Sequence, residues 1–419
     1  MSEMNPTELI TSKDIFLLTR DFLYLYDERP MRHGICTAYI FHHMLKERGG
    51  MEEYEIADWD LIAMLHDIGV YKMSMFADGN SDVALHSVYS YLFMRYLSPV
   101  GDRAKVILYH HVDWNHMQTI NYKYRDIAQF IHIAAAADRK YQRLGEEFDY
   151  RTFLDEEDKF CPEARDLFEK AMEHGNLQKD ILDGSYEKKF EELLDYALLS
   201  DIEKQKYTEL MMFCVGFRDT GSVKKTISTI YCSMEIARHL KVSPEDITVL
   251  EYAAIVHDLG MIAIPSEILN APRKLTDEER KIMQTHVEIA RKVLTKYLPK
   301  NVVDVACAHH ERFDGSGYPR GLKGNKMTEL QAILQVADTV AALKHNRPYA
   351  DAQSLEEIRK ILKEGVSRQK FSKQVADVAI IYLEAIGERV DPNIARVNKL
   401  YDSLMQKMDE MVQNGSYNA

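Results

Sequence analysis

Residues 309–319 of this sequence read His-His-Glu-Arg-Phe-Asp-Gly-Ser-Gly-Tyr-Pro. An α-helix turns about 100° per residue, so adjacent histidines on a helix point in different directions and could reach two neighbouring metal ions. Glycine permits positive φ and proline lacks an N–H donor, so the residues after the histidines predict the end of a helix and a fixed loop. A loop held beside a metal centre can bind a ligand.

The N-terminal half of the chain repeats the order of residues found around this stretch. Each half has a His-Asp pair, a single histidine, a His-His pair and an aspartate, namely His66-Asp67, His86, His110-His111 and Asp138, then His257-Asp258, His286, His309-His310 and Asp338. Corresponding positions are offset by 191, 200, 199 and 200 residues, and this ordered match indicates an internal repeat. The offset grows after the His-Asp pair because the second half has an insertion from Ile264-Pro265 to Leu269.

The second half resembles the HD-GYP family, metal-dependent phosphodiesterases of cyclic dinucleotides. His257-Asp258-Leu259-Gly260 corresponds to the first part of that name and Gly317-Tyr318-Pro319 to the second. The resemblance runs from about Gly221 to Tyr349 and includes Gln335-Val336-Ala337-Asp338 and Arg347-Pro348-Tyr349.

The fold class expected from the repeat and the resemblance is all-α, with two tandem HD-type helical bundles joined by charged helices. The predicted limits are 1–145 for an N-terminal HD-type domain, 146–206 for a helical connector, and 207–419 for an HD-GYP-like domain with further C-terminal helices. Ser243-Pro244 and Thr276 are expected to begin two helices of the second domain. Asp138 is expected at the end of a helix rich in small residues, and a helix is expected to open at His33.

The predicted metal ligands are His33, His66, Asp67, His86, His110, His111, Asp138, His257, Asp258, His286, His309, His310 and Asp338. His33 precedes His66 by 33 residues, and the matching place in the second half is Lys225. The family has a metal-binding histidine there, whereas a lysine ammonium has no lone pair to donate. A buried, hydrogen-bonded His-Asp pair is the ordinary structural alternative for His66-Asp67, and a helix-end surface residue is the alternative for Asp138.

Imidazoles and carboxylates in mixed sets favour Fe, Mn, Zn or Ni over Ca, so two divalent transition-metal ions are expected in each competent site. Paired ions can polarise a phosphodiester and activate a water molecule for attack. Asp67 and Asp258 are the predicted catalytic carboxylates because each could bridge two ions. The lysine that the family places after the His-Asp pair is Val70 in one half and Met261 in the other, so Lys72 is the nearest candidate for a catalytic lysine.

The resemblance implies that Arg312, Gly317, Tyr318, Pro319 and Arg347 bind the cyclic dinucleotide. Each also has an ordinary alternative, as surface charge, turn or packing residue. The first half lacks this loop and has Asp113-Trp114-Asn115 in its place. One half therefore keeps the full ligand set and the other keeps the loop.

Composition narrows the class of protein. The chain has 419 residues and a formal net charge of −13, which argues against binding a DNA or RNA duplex through phosphate contacts. Five scattered cysteines and the absence of a long apolar run predict free thiols, a cytoplasmic location and no membrane span. Met405, Met408 and Met411 fit either core packing or contact with a partner helix, so a homodimer is left open.

The function predicted is metal-dependent hydrolysis of a cyclic dinucleotide, cyclic di-GMP or a related molecule, in bacterial signalling. The metal set of the first half is the preferred place for the chemistry, and the loop of the second half is preferred for nucleotide recognition. Two alternatives are kept: a catalytically degenerate nucleotide-binding sensor or scaffold, and an HD-type phosphohydrolase of another nucleotide.

Overall fold

The structure, a computed structural model, describes residues 10–73, 83–155, 159–217, 220–345 and 351–386, with scattered residues between 392 and 410. Helices dominate, and the described residues form no β-strand, only an isolated bridge between Asp314 and Lys323. The predicted all-α class is confirmed. No helix among the described residues combines the length and apolarity needed to cross a membrane.

The chain divides into two compact units. The N-terminal unit is Leu23–Tyr207 with the described residues from Leu404 onwards, and the C-terminal unit is Thr208–Ser403 with the described residues up to Phe22. The first helix is α1 (Ser12–Tyr24). The N-terminal unit then contains α2 (Glu28–Arg48), α3 (Glu53–Met64), α4 (Val70–Met73), α5 (Val83–Leu97), α6 (Lys105–Leu108), α7 (Trp114–Met117), α8 (Arg125–Leu144), α9 (Tyr150–Leu154), α10 (Pro162–His174), α11 (Leu177–Asp183) and α12 (Tyr186–Leu193).

The remaining helices are α13 (Asp201–Val215), α14 (Thr220–Leu240), α15 (Pro244–Val256), α16 (Ser266–Leu269), α17 (Asp277–Tyr297), α18 (Lys300–Ala306), α19 (Glu329–Lys344), α20 (Leu355–Ser367) and α21 (Lys373–Ile381). Short 3₁₀ segments lie at Gly101–Ala104, Gly145–Glu147, Leu194–Tyr196, Leu259–Ala263 and Gly324–Lys326. In the N-terminal unit α2 packs against α3, α8, α10 and α12, and in the C-terminal unit α14 packs against α15, α19 and α21.

The predicted repeat is visible in the order of the helices. His33 on α2 corresponds to Lys225 on α14, and the two His-Asp pairs lie just after the ends of α3 and α15. The single histidines lie on α5 and α17, the His-His pairs follow α6 and α18, and the last aspartates lie on α8 and α19. Each unit therefore brings together residues from five corresponding elements.

Helix ends account for several differences from the expected boundaries. α2 opens at Glu28 rather than His33, because the Asp27 side chain accepts a hydrogen bond from the Arg29 N–H at 3.0 Å. α8 continues to Leu144, so Asp138 lies within a helix and not at its end. The predicted starts at Ser243 and Thr276 are confirmed, since both side chains cap the helices that follow them.

The residues predicted as a connector pack within the N-terminal unit. α10 contacts α2 and α8, and α12 contacts α2. The Tyr39 hydroxyl on α2 donates to Asp180 on α11 at 2.8 Å. The first described residues instead belong with the C-terminal unit, where Asp21 accepts hydrogen bonds from Lys296 and Tyr297. The limits 1–145, 146–206 and 207–419 stay predictions about domains.

A glycine after each His-Asp pair allows the helix that carries the next histidine to approach closely. A Cβ at Gly260 would overlap the carbonyl oxygen of His286, and a Cβ at Gly69 would overlap the backbone of α5 at His86 and Ser90. Neither neighbour is a flexible side-chain tip, so the helices could only move away. Small residues at these two positions bring the histidines of α5 and α17 close to the aspartates.

We therefore expect Gly260→Ala to lower the free energy of unfolding by about 1–3 kcal/mol, because the added methyl group forces α17 outwards. Urea denaturation measures the change. Gly184→Asn is the matched control, because a Cβ there meets nothing within 4 Å and asparagine tolerates its left-handed backbone. Equal stability of Gly260→Ala and the control would contradict the close packing described here.

Candidate metal centres

The ligands predicted for the N-terminal unit converge on the Asp67 carboxylate. Its Oδ1 atom lies 3.3 Å from His66 Nε2, 3.2 Å from His86 Nε2 and 3.4 Å from His110 Nε2. Its Oδ2 atom lies 3.7 Å from His33 Nε2. The four imidazoles come from separate elements, so the tertiary fold and not local sequence brings them together.

Backbone carbonyls fix the orientation of two of these imidazoles. His66 Nδ1 lies 2.7 Å from the Ala63 oxygen, and His110 Nδ1 lies 2.6 Å from the Ile107 oxygen. A carbonyl oxygen can only accept, so each Nδ1 carries the hydrogen and each Nε2 carries a lone pair. That arrangement is typical of metal-binding histidines.

Three atoms at the centre of this cluster are buried without a hydrogen-bond partner: His66 Nε2, His110 Nε2 and Asp67 Oδ1. Burying polar atoms without a partner is costly, and burying a carboxylate is more so. Divalent cations bound within this cluster would satisfy these three atoms. The residues present therefore fit a metal centre.

The protonation states also suit metal binding. Burial lowers the pKa of His66, His110 and His111, so these imidazoles are neutral at pH 7. Burial by itself would raise the pKa of Asp67, but the neighbouring His66 and His86 outweigh it and hold that pKa well below its usual range. The carboxylate is thus ionised and the imidazoles keep their lone pairs.

The cluster contains two groups of possible ligands that share Asp67. One group is Asp67, His86, His110 and His111, and the other is His33, His66 and Asp67. The two adjacent histidines fall in the same group, contrary to the expectation that each would reach a different ion. The reason is that α6 ends at Leu108, so His110 and His111 lie in a turn. His309 and His310 likewise belong to one group, because α18 ends at Ala306, three residues before His309.

Asp138 lies beside these groups and contacts the far side of His33. Its Oδ2 atom accepts from His33 Nδ1 at 2.5 Å and from Gln142 Nε2 at 2.5 Å. The carboxylate thereby leaves His33 Nε2 as the nitrogen with a lone pair. In this structure Asp138 orients a ligand, and direct metal binding by Asp138 stays a prediction.

The C-terminal unit gathers a corresponding cluster around Asp258. His286 Nε2 and His309 Nε2 each lie 3.5 Å from Asp258 Oδ1, and His257 Nε2 lies 3.2 Å from Asp258 Oδ2. The two groups of possible ligands are Asp258, His286, His309 and His310, and His257, Asp258 and Asp338. Burial lowers the pKa of His286 to about 4. For His257 burial acts in the same direction, but Asp258 outweighs it and raises the pKa to about 9.

Lys225 differs most from its counterpart His33. Its ammonium lies 2.8 Å from Asp258 Oδ2 and 2.7 Å from Asp338 Oδ1. Burial opposes the charge, but the two carboxylates outweigh it and raise the pKa of Lys225. An ammonium ion therefore bridges both carboxylates of one ligand group.

The loop after His310 is fixed by Glu311, which sequence reasoning did not single out. This carboxylate is fully buried and accepts hydrogen bonds from the Arg320 and Leu322 N–H groups, both at 2.7 Å. Gly317 lies directly against the backbone of Glu311 and Arg312, leaving no room for a Cβ. Glu311 therefore contacts the loop both at Gly317 and at Arg320 and Leu322.

The loop brings Tyr318 to the cluster. The Tyr318 ring centroid lies 4.7 Å from that of His310, and the Tyr318 N–H donates to the His310 carbonyl oxygen. The guanidinium of Arg312 lies over the Phe371 ring at 5.7 Å. Pro319 follows Tyr318 in the same loop, and Arg347 lies outside the described residues. Binding of a nucleotide by these residues stays a prediction.

Residues 215–375 match the protein-family model for the HD domain. This segment of the chain is therefore similar to HD domains. The match lies in the C-terminal unit and contains both His257-Asp258 and the Gly317-Tyr318-Pro319 loop. The predicted resemblance is confirmed at the level of HD-domain phosphohydrolases.

Similarity to curated proteins extends beyond this segment. The chain is 28% identical over 379 residues to the 3'3'-cGAMP-specific phosphodiesterase 1 of Vibrio cholerae, covering 84% of this chain and 86% of that protein. It is 35% identical over 179 residues to a cyclic di-GMP phosphodiesterase of Thermotoga maritima, covering 42% of this chain and 48% of that protein. The crystal structure of a cyclic GMP-AMP specific phosphodiesterase from V. cholerae matches with a TM-score of 0.52 and 18% identity, over 90% of this chain and 98% of that one. The structural match supports the fold.

Two further residues at the N-terminal cluster were missed by sequence reasoning. Arg139 Nη1 lies 3.3 Å from His33 Nε2, and Gln142 holds Asp138. Both follow Asp138 on α8, Arg139 by one residue and Gln142 by four. Lys72 itself is buried on α4, and its catalytic role stays a prediction.

We expect removal of metal ions to lower the midpoint of thermal unfolding by about 5 °C or more, because buried ligand atoms in both clusters lose the cations that compensate their burial. Scanning calorimetry after chelation and after return of Mn²⁺ measures the shift. Asp67→Ala should show a smaller shift, since one cluster has already lost its shared ligand. An unchanged midpoint in protein proven metal-free by mass spectrometry would contradict the assignment.

Glu311→Ala should lower the free energy of unfolding by about 1–3 kcal/mol, because two backbone N–H groups lose their acceptor. Limited proteolysis should then cleave within residues 312–324. Glu356→Ala, an exposed glutamate on α20, is the control and should leave both readouts unchanged. A Glu311→Ala protein as resistant to protease as the control would show that the loop does not depend on this carboxylate.

Proposed function

We propose that this protein is a metal-dependent phosphodiesterase that hydrolyses a guanine-containing cyclic dinucleotide, either cyclic di-GMP or 3'3'-cGAMP. The relatives named above act on these two substrates according to their names. We further propose that the cluster around Asp67 carries out the hydrolysis and that the loop of the C-terminal unit recognises the nucleotide.

The observation that carries this proposal is the shared carboxylate of the N-terminal cluster. Asp67 belongs to both ligand groups, and each of its oxygens faces a different set of imidazoles. A carboxylate placed in this way can bridge two cations, which is the arrangement that two-metal phosphodiesterases use. A buried structural His-Asp pair would need one imidazole, not five gathered around one aspartate.

The chain's own residues prepare this site for hydrolysis. His33, His66, His86, His110 and His111 would hold the ions together with Asp67. When bound, paired divalent ions supply Lewis acidity towards a phosphodiester. Asp138 keeps His33 in the tautomer that leaves Nε2 free of a hydrogen. Arg139 places a cation beside His33, where the charge of a substrate phosphate needs compensation.

Nucleotide recognition is assigned to Tyr318 and Arg312. The Tyr318 ring, next to His310, offers a flat surface for a base or ribose. Arg312 offers hydrogen-bond donors suited to a phosphate or a guanine edge. Glu311 and Gly317 keep the loop in place before the ligand arrives, which lowers the entropy cost of binding.

A second candidate function is supported by Lys225. Its ammonium bridges the two carboxylates where the N-terminal unit has a histidine. On this alternative the protein binds a nucleotide as a sensor or scaffold and does not turn it over. Metal-loaded protein that binds cyclic dinucleotides without hydrolysing any of them would decide for the alternative.

The assignment of the two units is tested with Asp67→Ala and Asp258→Ala, assayed on cyclic di-GMP and 3'3'-cGAMP by chromatography of the products. We expect Asp67→Ala to lower kcat/KM by more than about 100-fold, because it removes the shared ligand. Asp258→Ala should keep kcat within about threefold while raising KM. Circular dichroism confirms that both variants fold. The reverse pattern would place the hydrolysis in the C-terminal unit.

A further inference from the structure

The two clusters differ in one ligand position, and the difference changes what the site can hold. α2 places His33 next to Asp67, whereas α14 places Lys225 next to Asp258. Imidazole Nε2 donates a lone pair to a cation, but an ammonium is itself a cation with three donors. The C-terminal unit has therefore exchanged a ligand for a positive charge.

The Lys225 ammonium occupies the centre of one of the two C-terminal ligand groups. It lies 2.8 Å from Asp258 Oδ2 and 2.7 Å from Asp338 Oδ1, which are the two carboxylates of that group. The contact with Asp258 is a charge-assisted hydrogen bond, and the contact with Asp338 is an ion pair. The oxygens that would bind a second ion are thus already neutralised by the protein.

The other C-terminal ligand group lies on the side of Asp258 that faces away from Lys225. Asp258 Oδ1 faces His286 and His309 at 3.5 Å, on the opposite side of the carboxylate from the ammonium. His310 completes this group of four. The two oxygens of Asp258 therefore have different neighbours: Oδ2 faces the ammonium, and Oδ1 faces the imidazoles of His286 and His309.

We propose that the C-terminal centre binds one divalent ion, held by Asp258, His286, His309 and His310, and that the Lys225 ammonium takes the place of the second ion. A dication in the space between Asp258 and Asp338 would lie against the ammonium, and like charges at this range repel strongly in a buried site. The N-terminal centre, with His33, keeps room for a pair. This inference rests on the proposed metal binding of both clusters.

The exchange gives the C-terminal centre a fixed positive charge that does not dissociate. A divalent ion can be lost to a chelator, whereas Lys225 is part of the chain. A phosphate at this centre would meet one ion and one ammonium, a combination suited to holding an anion. That is consistent with the nucleotide-binding role assigned to the C-terminal loop.

The test counts Mn²⁺ ions per chain by plasma mass spectrometry after equilibration and gel filtration of the full chain. We expect about three ions in the wild type and about one in Asp67→Ala, which isolates the C-terminal centre. Lys225→His in the Asp67→Ala background should raise the count to about two, and electron paramagnetic resonance should then show a coupled Mn²⁺ pair. Lys224→His, one residue away, is the matched control and should leave the count unchanged.

His33→Lys gives an independent arm that does not depend on the folding of the Lys225 variant. It should lower the wild-type count by about one ion, because it introduces the same ammonium into the N-terminal centre. A wild-type count of about four, or a folded Lys225→His protein that gains no ion, would overturn this inference alone. Absence of bound Mn²⁺ from every form would overturn the proposed function together with it.

Discussion

A buried carboxylate surrounded by imidazoles is the constraint on which this structure depends. Asp67 has one oxygen without a hydrogen-bond partner, and the nearest nitrogens of His66 and His110 also lack one. Such a centre is unfavourable on its own because the cost of desolvation is not recovered. The small glycine after each His-Asp pair and the backbone carbonyls that orient the imidazoles make sense when a cation completes the cluster.

The duplicated architecture has allowed the two units to diverge. The N-terminal unit has a histidine or aspartate at every predicted ligand position. It has a short helix, α7, in the place of the Gly-Tyr-Pro loop. The C-terminal unit keeps the loop, held by the buried Glu311, and has replaced one ligand by Lys225. Each unit has a feature that the other lacks, and the proposed division between hydrolysis and recognition is based on this difference.

The sequence predicted which residues the two clusters bring together, because the repeat aligned them at nearly constant spacing. It could not predict side-chain directions, which depend on where helices end. His110 and His111 share one ligand group because α6 stops at Leu108. The sequence shows that Lys225 replaces a ligand, but its contacts with Asp258 and Asp338 depend on how α14 packs against α15 and α19. Glu311 and Arg139 gave no signal, since a single charged residue beside a motif is ordinary.

The most direct measurement is anomalous X-ray diffraction from crystals of the wild-type protein grown with Mn²⁺. We expect a pair of peaks on either side of the Asp67 carboxylate and a single peak beside Asp258, opposite Lys225. Clusters without anomalous density, with Asp67 hydrogen-bonded to protonated imidazoles, would contradict the claim that these residues form metal centres.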